Sequence, residues 1–496
     1  TPPRTAGEET AVAKLSAPRT IGALPPASRV LAAYQGGSDL LYAIGSGKPA
    51  GFLIRPAPED EIAVLVDAVE ACLSTGRRAL ILVPEADPVP ASATALADAF
   101  GSRAAVFLGG SPRLRYRMWL SIQRGEADVV VGTRPAVFAP LSDIGLIAVS
   151  RESHPAHRED RAPYYHVRDV ALARARLIGA VGLLSAICPS SDAAHLGLTD
   201  VTPPARRWPP VEVVKPGPEG RAPRLIRALA SVRRGFIYAP VPGAGIAAVC
   251  RVCGLPAACA ACGGALRSEE GVVSCLVCEA PGRCANCGAA DFGLRHGGSE
   301  RVHGWAERAA SVPVHRLRKG ETPRLPSDGE IVVGGPDDVR DLGPGGLDLV
   351  AILDADLAER RPGLTARERA LTTWMEAIAW ARPDGRAIVQ ATRANDPAVQ
   401  ALVRGNPDRF HIDESARRLQ AGFPVGAAVF RVTGTDAVED GVRGIVDPLT
   451  FLVSRRDDRT VCLLALRSGE VPAFGRAVRV LAAAGIVERV EAEPHL

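Results

Sequence analysis

Eight of the eleven cysteines lie between residues 250 and 287, in the stretch CRVCGLPAACAACGGALRSEEGVVSCLVCEAPGRCANCG. They form four Cys-x2-Cys pairs: Cys250 and Cys253, Cys259 and Cys262, Cys275 and Cys278, Cys284 and Cys287. One such pair presents two thiolates to a tetrahedral ion, and two pairs complete a four-cysteine site. Eight thiolates therefore make two closed sites with no open position for a catalytic water, which is structural chemistry. Zinc suits this regular spacing; an iron–sulfur cluster, held as a rule by less regular spacing, is the rival. The 12 residues between Cys262 and Cys275 can fold back as a hairpin and bring the inner pairs face to face, whereas the five-residue links are short for turning one pair onto its sequence neighbour. The expected pairing is nested. Cys250, Cys253, Cys284 and Cys287 hold one ion, and Cys259, Cys262, Cys275 and Cys278 hold the other. Gly254, Gly263 and Gly288 follow three of the pairs, where glycine relieves the tight turn that aims backbone N–H groups at sulfur. Glu279 stands at the fourth.

Gly45-Ser46-Gly47-Lys48 has the look of a phosphate-binding loop. Such a loop needs G-x4-G-K-[ST] between a strand and a helix. Here the first glycine position holds Tyr42, the hydroxyl position holds Pro49, and the apolar run GFLI (51–54) follows where a helix should. Proline also lacks the N–H that a phosphate cradle uses. The match is accidental, and the stretch is a turn ahead of the first strand.

Other groups carry weaker signals. Arg113, Arg115, Arg117 and Arg124 flank Met118–Leu120 and read as a solvated helix face. His154, His157 and His166 stand near Glu152, Glu159 and Asp160 without ordered ligand spacing, and read as a polar surface loop. Asp354 and Asp356 lie two apart at a strand end with no lysine or metal partner in view. Thr133 and Arg134 end a strand at the carboxyl edge of a sheet, where α/β folds bind ligands. Cys72, Cys188 and Cys462 sit alone in apolar runs, as buried small hydrophobes do.

Elements must position these groups. Between about 28 and 205, apolar runs such as ALILVPE (79–85), AAVFLGG (104–110), ADVVVGT (127–133) and GLIAVS (145–150) alternate with helix-like stretches, one carrying Ile62, Leu65, Val66 and Val69 on one face. That alternation implies a parallel sheet covered on both faces. Pro-rich TPPARRWPPVEVVKPGPEG (202–220) reads as a connector. GFIYAPV (235–241), EIVVGG (330–335), DLVAILDAD (348–356), a helix over 366–380 and GRAIVQATR (385–393) make a second α/β stretch around the cysteines. From about 406 the pattern becomes that of a small α+β domain.

The length of 496 residues suggests about three domains, and 47% apolar with 23% charged residues is an ordinary globular balance. A net charge of +4 neither demands nor excludes nucleic acid, though arginine far outnumbers lysine. No apolar run reaches the ~18–20 residues of a membrane span. The best, LIGAVGLLSAI (177–187), is too short and follows Arg174 and Arg176. No signal peptide is seen, so a cytoplasmic protein without membrane contact is expected.

With the cysteines placed, the chain resembles the PriA family of bacterial replication-restart DNA helicases (primosomal protein N′). Four stretches carry the resemblance: the cysteine window, RYRMWLSIQRGEADVVVGTRPAVFAPLSDIGLIAV (115–149), YYHVRDVALARA (164–175) and LVAILDADLAERRPGLTARERAL (349–371). It covers about 28 to 496 and implies an α/β fold with two RecA-like (superfamily 2 helicase) lobes, an inserted two-zinc module and a C-terminal α+β domain. The expected division is 1–27 linker or tail of a preceding domain, 28–205 lobe one, 206–249 the start of lobe two, 250–292 the cysteine module, 293–405 the rest of lobe two, and 406–496 the C-terminal domain. The family's N-terminal DNA-binding and winged-helix domains are not expected in this sequence. The resemblance also implies two nested zinc ions and a loop at Thr133 and Arg134 that faces single-stranded DNA.

The departures from the family are as informative. GFLI leads into RPAPEDE (55–61) with no Gly-Lys-Thr, and Glu59, Asp60 and Glu61 are expected in the first turn of the helix that follows. The family's Asp-Glu-x-His after an apolar strand is replaced, in LIAVSRESH, by Ser150, Arg151 and Glu152. Ser-Ala-Thr-Pro becomes SAICP (185–189), and the Arg-rich final motif becomes EAIAWARP (376–383). The combination implies a protein that binds stalled or abandoned forks, works with single-strand-binding protein and primosome or helicase-loading proteins, and neither hydrolyses ATP nor unwinds DNA. No catalytic or cofactor-contacting residue is assigned beyond the metal ligands. The alternatives are an active ATP-dependent 3′-to-5′ DNA helicase with diverged nucleotide loops, and an adaptor that binds only protein.

Overall fold

Runs of apolar residues that stop at glycine or polar positions become two parallel sheets with helices on both faces. The computed structural model describes residues 30–496 except 160, 162–163, 206, 218–220, 242–244, 256, 262–263, 270, 277, 357–362, 457–458 and 493–496. The expected linker 1–27, Asp160, Cys262 and Gly263 lie outside the described residues.

Lobe one contains β1 (Ala50–Ile54), β2 (Arg78–Leu82), β3 (Ala104–Phe107), β4 (Val129–Gly132), β5 (Ile144–Ser150), β6 (Val181–Ser185) and β7 (Thr199–Val201). All run parallel in the order β3-β4-β2-β5-β6-β1-β7. Every residue of the central β5 is buried, as a strand covered on both faces requires. Successive residues serve opposite cores. Ile81 joins Leu65 and Val69 on one face, and Leu80 joins Ile122 and Ala175 on the other. β6 comes from the stretch weighed above only as a membrane span, and its five residues are buried in the sheet. No helix among the described residues is long and apolar enough to cross a membrane.

Lobe two begins with β8 (Val211–Val214) and β9 (Arg234–Tyr238). The cysteine module follows with β10 (Gly245–Cys250), β11 (Leu266–Glu269), β12 (Val272–Cys275) and β13 (Phe292–Gly297), an antiparallel sheet in the order β12-β11-β10-β13. The lobe resumes with β14 (Val314–Arg316), β15 (Glu330–Gly334), β16 (Leu347–Ile352) and β17 (Ala381–Gln390). Its strands are parallel in the order β8-β17-β16-β9-β15-β14. The Pro-rich connector thus holds a strand. β8 is an edge strand, where the prolines around it interrupt no central ladder. The C-terminal unit is an antiparallel sheet of β18 (Ala428–Gly434), β19 (Thr450–Arg456), β20 (Arg459–Leu466) and β21 (Val487–Ala492), in the order β19-β20-β18-β21.

The architecture is α/β, with two lobes each built on a parallel sheet. The lobes share apolar packing, since Ile187 and Cys188 of lobe one join a core with Phe236, Trp374 and Phe410.

Candidate metal centre and inter-lobe cleft

The hairpin of β11 and β12 sets Leu266 opposite Cys275 and carries the inner cysteines toward one another. Sulfurs of Cys250, Cys253, Cys284 and Cys287 all lie within 4.8 Å of one another, and so do those of Cys259, Cys275 and Cys278. Individual separations are 3.6 Å for Cys250–Cys287 and 3.7 Å for Cys253–Cys284 and Cys259–Cys278. A tetrahedron with metal–sulfur bonds of about 2.3 Å has sulfur–sulfur edges of about 3.8 Å, whereas a disulfide needs about 2.05 Å. The donor sets therefore fit a tetrahedral, thiolate-binding ion. The four knuckles repeat one backbone device: the N–H groups of Cys250, Cys259, Cys275 and Cys284 donate to the carbonyls of Leu255, Gly264, Ala280 and Ala289 at 2.8–2.9 Å. The turn needs a left-handed residue, with φ 71° at Gly254 and 72° at Gly288. Glu279 takes the same role at φ 58°, at a cost on the order of 1 kcal/mol for a residue with a Cβ.

Gly47 does not open a phosphate loop. It ends the helix Gly37–Ser46 with φ 66°, its N–H bonded to the Ile44 carbonyl. After β1 the chain makes a 3-10 turn at Pro58–Asp60, and the helix starts only at Ala63. The acidic residues thus precede the helix, and their partners are side chains. Asp60 accepts from the Tyr34 hydroxyl at 2.8 Å, and Glu59 lies 3.4 Å from Arg207. Glu61 receives Arg151 in two parallel bonds, Nε at 2.9 Å and Nη2 at 3.0 Å.

Arg151 sits just past β5 with φ 49° and is 3% exposed. Its Nη1 is 3.8 Å from Glu376 and its Nη2 is 4.0 Å from Asp341, both in lobe two. Three carboxylates hold the guanidinium charged against the cost of burial. Burial raises Glu61, with Arg151 opposing, and pushes Glu376 up to about 7, with Arg151 again opposing and Glu61 and Asp341 adding. Asp341 also accepts from the Ser92 hydroxyl at 2.5 Å and the Ser92 N–H at 3.2 Å, while its carbonyl accepts from the Ala91 N–H at 2.9 Å. Next to it, Arg340 pairs with Glu85 of lobe one. His154 Nε2 lies 3.3 Å from Glu85. Burial lowers His154 to about 3, so the ring is neutral there and the contact is not an ion pair.

A protein of Mycobacterium tuberculosis (strain CDC 1551 / Oshkosh) named probable replication restart protein PriA is 28% identical over 452 residues, covering 81% of this chain and 67% of that protein. The replication restart protein PriA of Treponema pallidum is 27% identical over 406 residues, covering 73% and 60%. Similarity of this extent over most of the chain supports a PriA-family member. It spans about two thirds of the length of the mycobacterial relative. No family model matches the sequence. Among solved structures, the DEAD-box helicase Mss116 bound to ssRNA and UDP-BeF has a TM-score of 0.43 at 10% identity, over 78% of this chain and 74% of that one. The Escherichia coli DExH-box NTPase HrpB has a TM-score of 0.39 at 12% identity, over 78% and 43%. Both scores fall below 0.5, and neither likeness bears on function.

Just past β5, Arg151 and Glu152 are both engaged internally. The Ser150 hydroxyl is buried without a partner among the described residues. Glu152 is fully buried and saturated, accepting from Arg168 Nη1 at 2.8 Å, the Ser190 hydroxyl at 2.8 Å and the Ser190 N–H at 3.1 Å. The histidines do not form a surface loop. His154 and His157 are buried, and His157 Nε2 donates to the Ser150 carbonyl at 2.7 Å. Thr133 is the residue before the 3-10 turn Arg134–Phe138 and makes no capping bond. Arg134 donates to the carbonyls of Ala156 at 2.9 Å and Arg158 at 2.5 Å, and to Glu159 at 2.8 Å, so its guanidinium holds the loop 155–159. Asp354 does have a basic partner, Arg221 at 3.4 Å, and accepts from Gln390 Nε2 at 3.0 Å. Asp356 accepts the Thr392 N–H at 2.8 Å and so fixes the backbone beyond β17. The inter-lobe ion pairs were not visible in the sequence, where only Arg151 at a carboxylate position hinted at them.

Proposed function

We propose that the chain is a cytoplasmic replication-restart protein that recognises forked and single-stranded DNA at stalled or abandoned forks and promotes primosome assembly and helicase reloading, without ATPase or helicase activity of its own. The names of its relatives support the restart role. The observation that carries the loss of ATPase activity is Arg151. A nucleotide site after β5 needs a carboxylate for Mg²⁺ and a phosphate cradle after β1. Here a cation occupies the first place and is bound in two parallel bonds to Glu61 from the second. Pro56 and Pro58 remove two N–H donors from the segment that should form the cradle.

The proposed domains are the divisions at 28–205, 206–249, 250–292, 293–405 and 406–496. The proposed metal is zinc, two ions per chain, one on Cys250, Cys253, Cys284 and Cys287 and one on Cys259, Cys262, Cys275 and Cys278. The proposed partners are DNA, single-strand-binding protein and primosome or helicase-loading proteins, and Thr133 and Arg134 are the proposed DNA contacts.

The test is phosphate release and Mg–ATP calorimetry with and without forked DNA, together with binding of forked DNA across a salt series. Neither ATP binding nor turnover is expected, and affinity should fall linearly in log–log salt coordinates. DNA-stimulated turnover would establish an active helicase instead, and no affinity at low salt would remove the restart reading. Arg134→Ala should reduce the salt slope by about one if the side chain meets phosphate. An unchanged slope with lowered stability would assign Arg134 to the loop alone.

A further inference from the structure

We propose that the cleft is a permanent latch: Arg151 and Asp341 hold the two lobes in one closed arrangement with no nucleotide present, so that the protein meets DNA as a single rigid clamp. The proposal rests on the reading that the cleft takes no ATP. A motor must part and close its lobes in each cycle, and bound nucleotide supplies the contacts that differ between the two states. Here the chain's own side chains make the closing contacts.

The geometry has two parts. Glu61 fixes the plane of the Arg151 guanidinium through Nε and Nη2 from within lobe one; across the cleft, Nη1 faces Glu376 at 3.8 Å and Nη2 lies 4.0 Å from Asp341, ion-pair separations longer than a hydrogen bond. Parting the lobes would remove two of the three carboxylates around a buried cation. Asp341, in turn, completes a helix of the other lobe. The helix Ala91–Phe100 follows Pro90, which offers no side-chain cap. Its first N–H groups, those of Ala91 and Ser92, find their acceptors on Asp341, at 2.9 and 3.2 Å. The free N–H groups of a helix start must be satisfied by some acceptor, and here lobe two supplies it.

A second seam joins lobe one to the segment that follows lobe two. Ser191 Oγ lies 3.2 Å from His411 Nδ1, His195 Nε2 lies 3.0 Å from Ser415 Oγ, Gly426 N–H donates to Asp192 at 3.0 Å, and Arg55 pairs with Asp408 at 2.5 Å. Ile187 and Cys188 are buried in the core of lobe two. An open state would expose these apolar groups and leave the polar ones without partners.

The test is single-molecule energy transfer on the full chain, with fluorophores placed by nonsense suppression at Tyr42 in lobe one and Asp384 in lobe two, both exposed. The expected result is one narrow distance population, unmoved by millimolar Mg–ATP. Arg151→Met and Asp341→Ala should each add a second, longer-distance population. The Ser92 amide, at the start of the helix Ala91–Phe100, should then exchange about tenfold faster or more. Asp341→Ala keeps the test decisive if Arg151→Met does not fold. Broad or double populations in the unsubstituted protein, or a narrow one in Asp341→Ala with unchanged Ser92 exchange, would overturn the latch. Calorimetry separates the two readings. Mg–ATP binding that shifts the distance removes the no-ATP reading, and open lobes without ATP binding remove the latch alone.

Discussion

At the scale of single residues, the cysteine knuckles turn on one backbone angle. Gly254 and Gly288 take it without strain, and Glu279 takes it at φ 58°. Glu279→Gly should therefore stabilise the module by about 1 kcal/mol, a little less where the added freedom of glycine in the unfolded chain offsets the relieved strain. The reverse change is just as informative. A Cβ at Gly254 would meet nothing within 4 Å, so Gly254→Ala should cost about 1 kcal/mol through the backbone angle alone. Resistance of the module to a competing chelator measures both, and equal resistance in the two variants would show that the angle is not what the glycines supply. This much was legible, because a glycine after Cys-x2-Cys states a local requirement. Arg151 was legible only as an oddity. Its partners lie 90 residues upstream in Glu61 and in another lobe at Asp341 and Glu376, and no local pattern encodes a contact that only tertiary packing creates.

At the scale of elements, the module has little to hold it without metal. Its buried core is four of the cysteines with Ala247, Leu266 and Phe292, far less apolar surface than either lobe commands. Folding free energy for such a unit comes largely from the ions, on the order of 10 kcal/mol per structural site. Removing metal should unfold residues 250–292 while amide exchange in β1–β7 stays unchanged. Loss of protection in β5 on chelation would show instead that the module supports lobe one. Cys284→Ser should lower the metal content by one ion and leave the other, as measured by elemental analysis. Strand legibility followed burial. β2, β4, β5 and β16 are long apolar runs and were plain in the sequence. β8 was hidden among prolines because an edge strand tolerates them, and β14 is three half-buried residues with no pattern to display.

At the scale of the whole molecule, the seam between the lobes concentrates buried acids. Glu376 faces Arg151, Glu61, Asp341 and Arg340, and burial pushes it up to about 7. Glu368 faces Asp192, Ser191 and Arg418 and is pushed up to about 7 in the same way. An unfolded glutamate titrates near 4.3. A carboxyl whose folded pKa is raised contributes stability that is fully present below the unfolded value and is lost as pH rises through the folded one. The window for both groups is therefore about 4.3 to 7. The melting curve of the unsubstituted protein is the wrong readout, because buried His154 and His157 act in the opposite sense. Burial lowers them to about 3 and about 4, so their contribution is present above about 6.5 and lost as pH falls. The difference between the protein and Glu376→Gln isolates one group, since glutamine keeps the shape of the protonated acid and never ionises. The two should be about equally stable at pH 4. The variant should gain steadily across the window, by at most roughly 4 kcal/mol above pH 7. Paired denaturant titrations at several pH values give that difference directly. A flat difference, or a variant that loses ground as pH rises, would mean that Glu376 is ionised in the closed seam and that Arg151 wins over burial there.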